Sequence, residues 1–331
     1  MADGPGMPGS SIVLSHWPDS GTPWPLKADL SAEIAFAYLE QPEHHVDAEW
    51  VTNGHLDVDG FVSVFVLTRP DYAQAHREDL VGVAAAGDFA DRCTDRQANA
   101  CFALGALRDP KVSTLSSASF VGSEVNIAAN HYQLLLPLMP TLIDDPERFE
   151  PLWREERATV DAAEAAFASG DLRIEDVPDA ELAVVYLPAD WPGGGVQRGV
   201  LQRDTPVHPL VVHRRTNRWR VAYVDPARRD YRLIYRFESW VQHISRGAGR
   251  ADLRPIARKL TAADPAGGEW IAGGRKTFLA WLHRRDYGPS GLEPEQFVSI
   301  VTDGLRGAPI TWTPYDPPDG EPRRRRSGGY G

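Results

Sequence analysis

The sequence predicts an α/β protein in which a parallel-sheet N-terminal domain with helices leads through a linker helix to a smaller mixed α+β C-terminal domain. Three observations carry that expectation. At 331 residues and 42% hydrophobic content the chain is long enough for about two cores, at roughly 150 residues each. Patterning changes near residue 170, from helical periodicity interrupted by short apolar runs to a series of strand-like segments. Charge changes at the same place: residues 1–170 carry 10 basic and 26 acidic side chains, net −16, and residues 171–331 carry 25 and 20, net +5. An acidic half suits divalent cations and a basic half suits anions, and two solvated surfaces of different character are the plainer explanation.

The expected boundaries are 10–170 for a metal-binding α/β domain with its linker helix, 178–313 for a smaller substrate-binding α+β domain, and 314–331 for a disordered tail. The start, rich in Gly, Pro and Ser, reads as loose. Ile12 to Ser15 reads as a short buried strand stopped by His16-Trp17-Pro18. Asp29 or Ser31 caps a helix to about Glu40, and a second strand near Glu49 to Asn53 precedes His55-Leu-Asp-Val-Asp-Gly60. Phe61 to Leu67 is β-branched yet sits where a helix should follow a strand, so a helix is expected. Arg77 to Gly87, Thr94 to Leu107, Asn126 to Met139 and Pro146 to Ala168 read as helices, the last ended by Ser169-Gly170-Asp171. Beyond it, Leu182 to Leu187, Leu210 to Arg215, Arg218 to Val224 and Tyr231 to Phe237 read as strands, with residues 225–230 as a hairpin loop, and Phe278 to His283 reads as a closing helix.

Several classes are disfavoured. No apolar run approaches the roughly 18–20 residues of a membrane helix, and the N-terminus lacks a basic segment followed by an apolar one, so a cytoplasmic location without membrane partners is expected. Two cysteines, Cys93 and Cys101, make no disulfide framework or cysteine zinc site. There is no Walker loop, dinucleotide fingerprint or Gly-x-Ser-x-Gly elbow. The acidic first half disfavours a long nucleic acid.

The best chemical signal is Asn53-Gly-His55-Leu-Asp57-Val-Asp59-Gly60. In extended backbone, alternate side chains share a face, so His55, Asp57 and Asp59 converge on one hard divalent cation. The competing structural explanation is an Asx turn in which the two aspartates cap the following helix. His16, after the first strand, and Asp88, in Gly87-Asp88-Phe89, are candidate further ligands, with a loop histidine and a helix-terminal turn as the alternatives.

This motif resembles the first motif of the DHH-type phosphoesterases, His or Asp, x, Asp, x, Asp, Gly, then Ser, here His55, Asp57, Asp59, Gly60 and Ser63. The resemblance implies a domain holding two Mn²⁺ or Mg²⁺ ions, a helical linker, and a second domain that grips substrate phosphate. The segment Phe167 to Ile174 followed by Leu182 to Leu187 is similar to that family's linker and second domain. No Asp-His-His triplet and no Gly-Gly-His-Pro motif occur. The chain also resembles an uncharacterised bacterial family in Ser15-His-Trp-Pro18, Asn53 to Gly60 and Gly87-Asp-Phe89.

In the second half, Gly273, Gly274 and Arg275 have the parts of a phosphate clamp: flexible backbone and a guanidinium. The expected function is therefore metal-dependent hydrolysis of a phosphate ester or diester in a small molecule or nucleotide, with His55, Asp57 and Asp59 catalytic. His16 and Asp88 complete the metal set, and Mn²⁺ or Mg²⁺ is the cofactor. A non-catalytic descendant that binds nucleotide or metal, or acts as a partner-binding scaffold, stands as the alternative. The sequence leaves oligomeric state open.

Overall fold

A computed structural model describes residues 1–247 and 249–315. The helices are α1 (Ser31–Glu40), α2 (Val58–Thr68), α3 (Pro70–Ala75), α4 (Arg77–Asp88), α5 (Asp95–Leu107), α6 (Glu124–Leu135), α7 (Met139–Asp144), α8 (Glu150–Ser169), α9 (Pro209–His213), α10 (Arg254–Ala263) and α11 (Pro294–Leu305). The strands are β1 (Arg173–Val177), β2 (Leu182–Tyr186), β3 (Arg220–Asp225), β4 (Asp230–Tyr235), β5 (Arg250–Ala251), β6 (Trp270–Gly273), β7 (Trp281–Arg284) and β8 (Ile310–Trp312). Among the described residues all eight strands follow residue 170, and residues 24–169 are almost entirely helical. The expected parallel-sheet N-terminal domain is thus overturned: the sheet belongs to the other half.

Two expected N-terminal strands are reduced to isolated bonds. Ala2 forms a single parallel bridge with Leu14, and its N–H donates to Thr52 O at 2.8 Å. Residues 1–3 thus lie between the two segments expected to be strands, and the start is not loose. Ala2 and Asp3 are fully buried.

Helix α2 is buried on every side from Val58 to Val66. A helix apolar all round is a central one, which explains why its β-branched run reads ambiguously. It crosses α4 where Gly87 leaves no room for a side chain: a Cβ there would lie 2.5 Å from Val58 Cβ. Thr94 caps α5 with a reciprocal Gln97 bond. Cys93 lies outside that helix and Cys101 inside it, and both are free thiols.

The six-stranded sheet has the order β1-β2-β3-β4-β7-β6, with β2 and β3 parallel and all other neighbours antiparallel. Val185, Val221 and Tyr223 join the large core shared with the helical half. Leu182, Val184, Ala222 and Val224 face a second core with α10 and α11. Burial of both faces accounts for the unbroken apolar runs of β2 and β3. The hairpin at residues 225–230 forms as expected. Residues 210–215, expected as a strand, instead carry α9, which begins at Pro209, the favoured first helical position. Residues 278–283, expected as a helix, lead into β7, whose alternating burial has the period of a strand.

Arg250, fully buried, donates to the carbonyls of Gly274 (3.1 Å), Arg275 (3.2 Å), Thr277 and Phe278 (3.0 Å), and so fixes the β6–β7 loop. Among the described residues no helix is long and apolar enough to cross a membrane. Of the tail expected to be disordered, residues 316–331 lie outside the described residues.

Candidate metal centre

Three helix ends meet above the Ala2–Leu14 bridge: the start of α1, the start of α2 and the last turn of α4. They bring Asp3, His16, Asp59 and Asp88 together, all at most 2% exposed. His16 Nε2 lies 3.8 Å from Asp3 Oδ1, 3.6 Å from Asp59 Oδ2 and 3.6 Å from Asp88 Oδ2. These separations are too long for hydrogen bonds and match the spacing of atoms held about 2.1–2.2 Å from one ion. A second group shares Asp3 through its other oxygen: His55 Nε2 lies 2.9 Å from Asp3 Oδ2 and 2.7 Å from Asp57 Oδ2. Two triads, Asp3 with His16 and Asp59 and Asp3 with His55 and Asp57, have ligand atoms close enough to hold a divalent metal.

Local structure aims each group. His16 Nδ1 donates to Asp29 O at 2.7 Å, which orients the ring so that Nε2 faces the carboxylates. Asp57 is the N-cap of α2, its Oδ1 accepting from Gly60 N at 2.8 Å, while its Oδ2 faces His55. The cap reading of this residue therefore holds for one oxygen and leaves the other for the site. Asp59 caps a different helix. Its oxygens accept from Ser31 N at 2.7 Å and Ala32 N at 2.8 Å, the free donors at the start of α1. Neither Asp29 nor Ser31 is the cap of α1: Leu30 holds that position, and its N–H donates to Glu33 Oε2.

Gly60 is glycine for want of space. A Cβ there would meet Asn53 Nδ2 at 2.0 Å, Asp3 Oδ2 at 2.9 Å and Asp57 Oδ1 at 2.9 Å. The motif's glycine is the floor on which two carboxylates and an amide rest.

Burial opposes charge on His55, yet the carboxylates of Asp57 and Asp3 prevail and raise its pKa to about 11. Burial likewise opposes charge on Asp57, and the His55 cation overcomes it, with a pKa of about 2. Burial raises Asp59 to about 7, with Asp3 and Asp57 adding to it against the pull of His16. Burial first, then the charges of Asp57, Asp59 and Asp3, push Asp88 well above the usual carboxylate range. His55 thus carries a proton that a metal ion would replace, and Asp88 has no cation of its own.

The polar accounting points the same way. Asp3 Oδ2, His16 Nε2 and both oxygens of Asp88 are buried without a hydrogen-bond partner among the described residues. Such groups are rare in native structures, and their gathering beside the two triads is consistent with a site for a cation. Imidazole and carboxylate ligands together suit a divalent cation.

The structure therefore brings His16, His55, Asp57, Asp59 and Asp88 into one centre. His16, expected after a strand, arrives from a loop, and Asp88 arrives from the end of α4. Gly273, Gly274 and Arg275 are not among these residues and line a cavity of about 330 Å³ with Asp252 and Arg254. Sequence reasoning missed Asp3, the residue common to both triads. Its only signal was an acidic residue before a glycine in the otherwise uncharged stretch from Met1 to His16.

No curated protein and no solved structure matches the chain. A family model does match, over residues 1–316, and by that extent the chain belongs to DUF6687, a family of unknown function.

Proposed function

We propose that this protein binds divalent metal, Mn²⁺ or Mg²⁺, at two subsites bridged by Asp3. His16, Asp59 and Asp88 hold the buried subsite, and His55 and Asp57 hold the one nearer solvent. The observation that carries this reading is the pair of Asp/His triads that share Asp3, with buried atoms of His16 and Asp88 beside them that lack a hydrogen-bond partner among the described residues. A bound ion stabilises the native state, so millimolar Mn²⁺ should raise the melting temperature, and Asp3→Asn should abolish the rise. Equal melting with Mn²⁺ and with EDTA overturns the proposal.

A second reading is hydrolysis of a phosphate ester in a small molecule or nucleotide, as the resemblance to DHH-type phosphoesterases implies. The His55 side chain is 28% exposed and Asp57 15%, so one side of the centre faces solvent, where a substrate can approach. Bound divalent ions supply an activated water and neutralise phosphoryl charge. The chain's own contribution is to orient His16 through Asp29 and to exclude water from Asp59 and Asp88. A phosphoesterase panel with Mn²⁺ tests this reading: turnover lost in Asp57→Asn supports it, and no turnover by metal-loaded protein leaves binding alone.

Arg275 as a phosphate clamp belongs to the same reading. With its loop fixed by Arg250 and its side chain on a separate cavity, Arg275→Ala should leave Mn²⁺ binding unchanged.

A further inference from the structure

The partnerless acceptors of the metal centre have partnerless donors beside them. Arg108 follows α5, and its Nη2 donates to Leu56 O, the carbonyl between His55 and Asp57. Its Nε–H is buried without a partner among the described residues. Gln202 is 2% exposed, and both atoms of its carboxamide are also without partners there. Burying an amide this way costs free energy unless a ligand or water satisfies it.

The loop that carries Gln202 is tied to the residue before Asp88 and to α5. Leu201 N donates to Gly87 O at 2.8 Å, the residue before Asp88. Gly199 N donates to both oxygens of the buried Glu156 at 3.0 Å, and Cys101 Sγ donates to Gly199 O at 3.1 Å. The loop lies flat on α5: a Cβ at Gly105 would meet Arg198 C at 2.6 Å, and one at Gly199 would meet Phe102 Cδ1 at 2.6 Å. The next residue, Arg203, is exposed, and its Nε donates to Val200 O at 3.0 Å. Burial lowers the Arg108 pKa, the Asp57 carboxylate works against that, and the Arg203 charge adds to the lowering.

Like charges gathered beside buried free donors suit an anion, and an anion beside a divalent centre suits one that also ligates metal. A tetrahedral phosphoryl group does both. We infer that Arg108, Gln202 and Arg203 form an oxyanion seat next to the metal centre, which takes the phosphoryl group of a small phosphorylated ligand. The inference rests on the metal-centre reading above, and it places the phosphate grip on the loop after residue 197 rather than on Arg275.

The test uses inorganic phosphate and the full chain loaded with Mn²⁺, read by ³¹P relaxation, which the paramagnetic ion enhances only for phosphate bound close to it. Saturable enhancement is expected with the wild-type protein. Gln202→Glu keeps the shape and adds a repelling charge, and Arg203→Ala changes an exposed side chain. Both should weaken phosphate by roughly tenfold or more while Mn²⁺ affinity is retained. Arg275→Ala should not. Wild-type protein that binds Mn²⁺ but not phosphate overturns the seat and spares the metal centre. Unchanged phosphate affinity in both loop variants also overturns it. Failure to bind Mn²⁺ removes the metal centre, and the seat with it.

Discussion

His16 donates its Nδ1 proton to the carbonyl oxygen of Asp29 at 2.7 Å, and that bond decides which ring nitrogen faces Asp3, Asp59 and Asp88. The carboxylate of Asp29 is itself anchored, accepting from Ile244 N at 2.7 Å, Ser245 N at 3.0 Å and the Ser245 hydroxyl, with His243 Nε2 at 3.2 Å. A loop of the second half thus holds the backbone that orients a metal-facing histidine in the first.

Asp29→Ala should release that loop and let the His16 ring rotate. Metal affinity should fall by about 10–100-fold, the usual effect of losing a group that orients a ligand. Asp29→Asn keeps one carbonyl acceptor for the two backbone donors and should lose less. Calorimetric titration with Mn²⁺ measures both, and an Asp29→Ala protein with wild-type affinity would separate the loop from the centre.

Asp88 closes α4, where the helix dipole disfavours negative charge, and neither of its oxygens finds a donor among the described residues. Removing that charge while keeping the shape should help the metal-free fold. Asp88→Asn is therefore expected to melt a few degrees above wild type in EDTA, for a gain of about 1 kcal/mol, and to gain less than wild type from Mn²⁺. Scanning calorimetry with and without metal reads both effects. A variant less stable than wild type in EDTA would show that Asp88 is paid for by contacts other than a cation.

Alanine in place of a helical glycine ordinarily stabilises by about 1 kcal/mol. At Gly60 the sign should reverse, because the new methyl would stand 2.0 Å from Asn53 Nδ2 and 2.9 Å from the carboxylates of Asp3 and Asp57. Gly60→Ala should unfold at lower denaturant concentration and lose its response to Mn²⁺. A more stable variant with intact metal binding would mean that the floor of the site yields easily.

The motif at residues 53–60 was legible because its chemistry is local: a histidine and two aspartates two residues apart, then glycine. His16 and Asp88 were legible as polar residues closing apolar runs. Their routes to the centre were not: that of Asp88 depends on α2 crossing α4 at Gly87, and that of His16 on its bonds to Asp29 and Ser31. Asp3 was hidden for a related reason. A segment rich in glycine and proline has no periodicity to betray burial, and Ala2 and Asp3 are held by single bonds to Thr52 and Leu14 rather than by a strand ladder. The misplacement of the sheet has a physical cause too. Phe61 to Leu67 was correctly read as helical, but the apolar runs before it were read as strands of a layer that the helices themselves fill. In the second half, β2 and β3 were legible because burial on both faces gives continuous apolar runs, whereas α9 is five residues long and almost wholly buried, which leaves no polar face to mark its period.

The second half has its own buried carboxylate, and its behaviour with pH should differ from that of the metal centre. Asp264 accepts from Gly291 N at 2.7 Å, Ser290 Oγ at 2.8 Å, Trp270 Nε1 at 3.0 Å and Arg284 Nη1 at 3.0 Å, and so joins the end of α10 to β6, β7 and the turn before α11. Burial works against its charge, but these donors together hold its pKa below the usual carboxylate value. A depressed folded-state pKa contributes stability that is fully present above the unfolded value, about 4, and is lost as pH falls through the lower folded value. Wild-type stability should therefore decline on acidification below about pH 4 in part through this group. Asp264→Asn keeps the shape but replaces an acceptor oxygen with an amide donor facing Arg284, and should cost about 3–5 kcal/mol at neutral pH, as for a broken buried pair. Urea melts of both proteins from neutral to acidic pH, in EDTA so that metal binding does not contribute, should show the gap between them narrowing as acid protonates the wild-type carboxylate. A gap that stays constant through that range would mean that the carboxylate's charge contributes nothing and that the variant suffers only from altered packing.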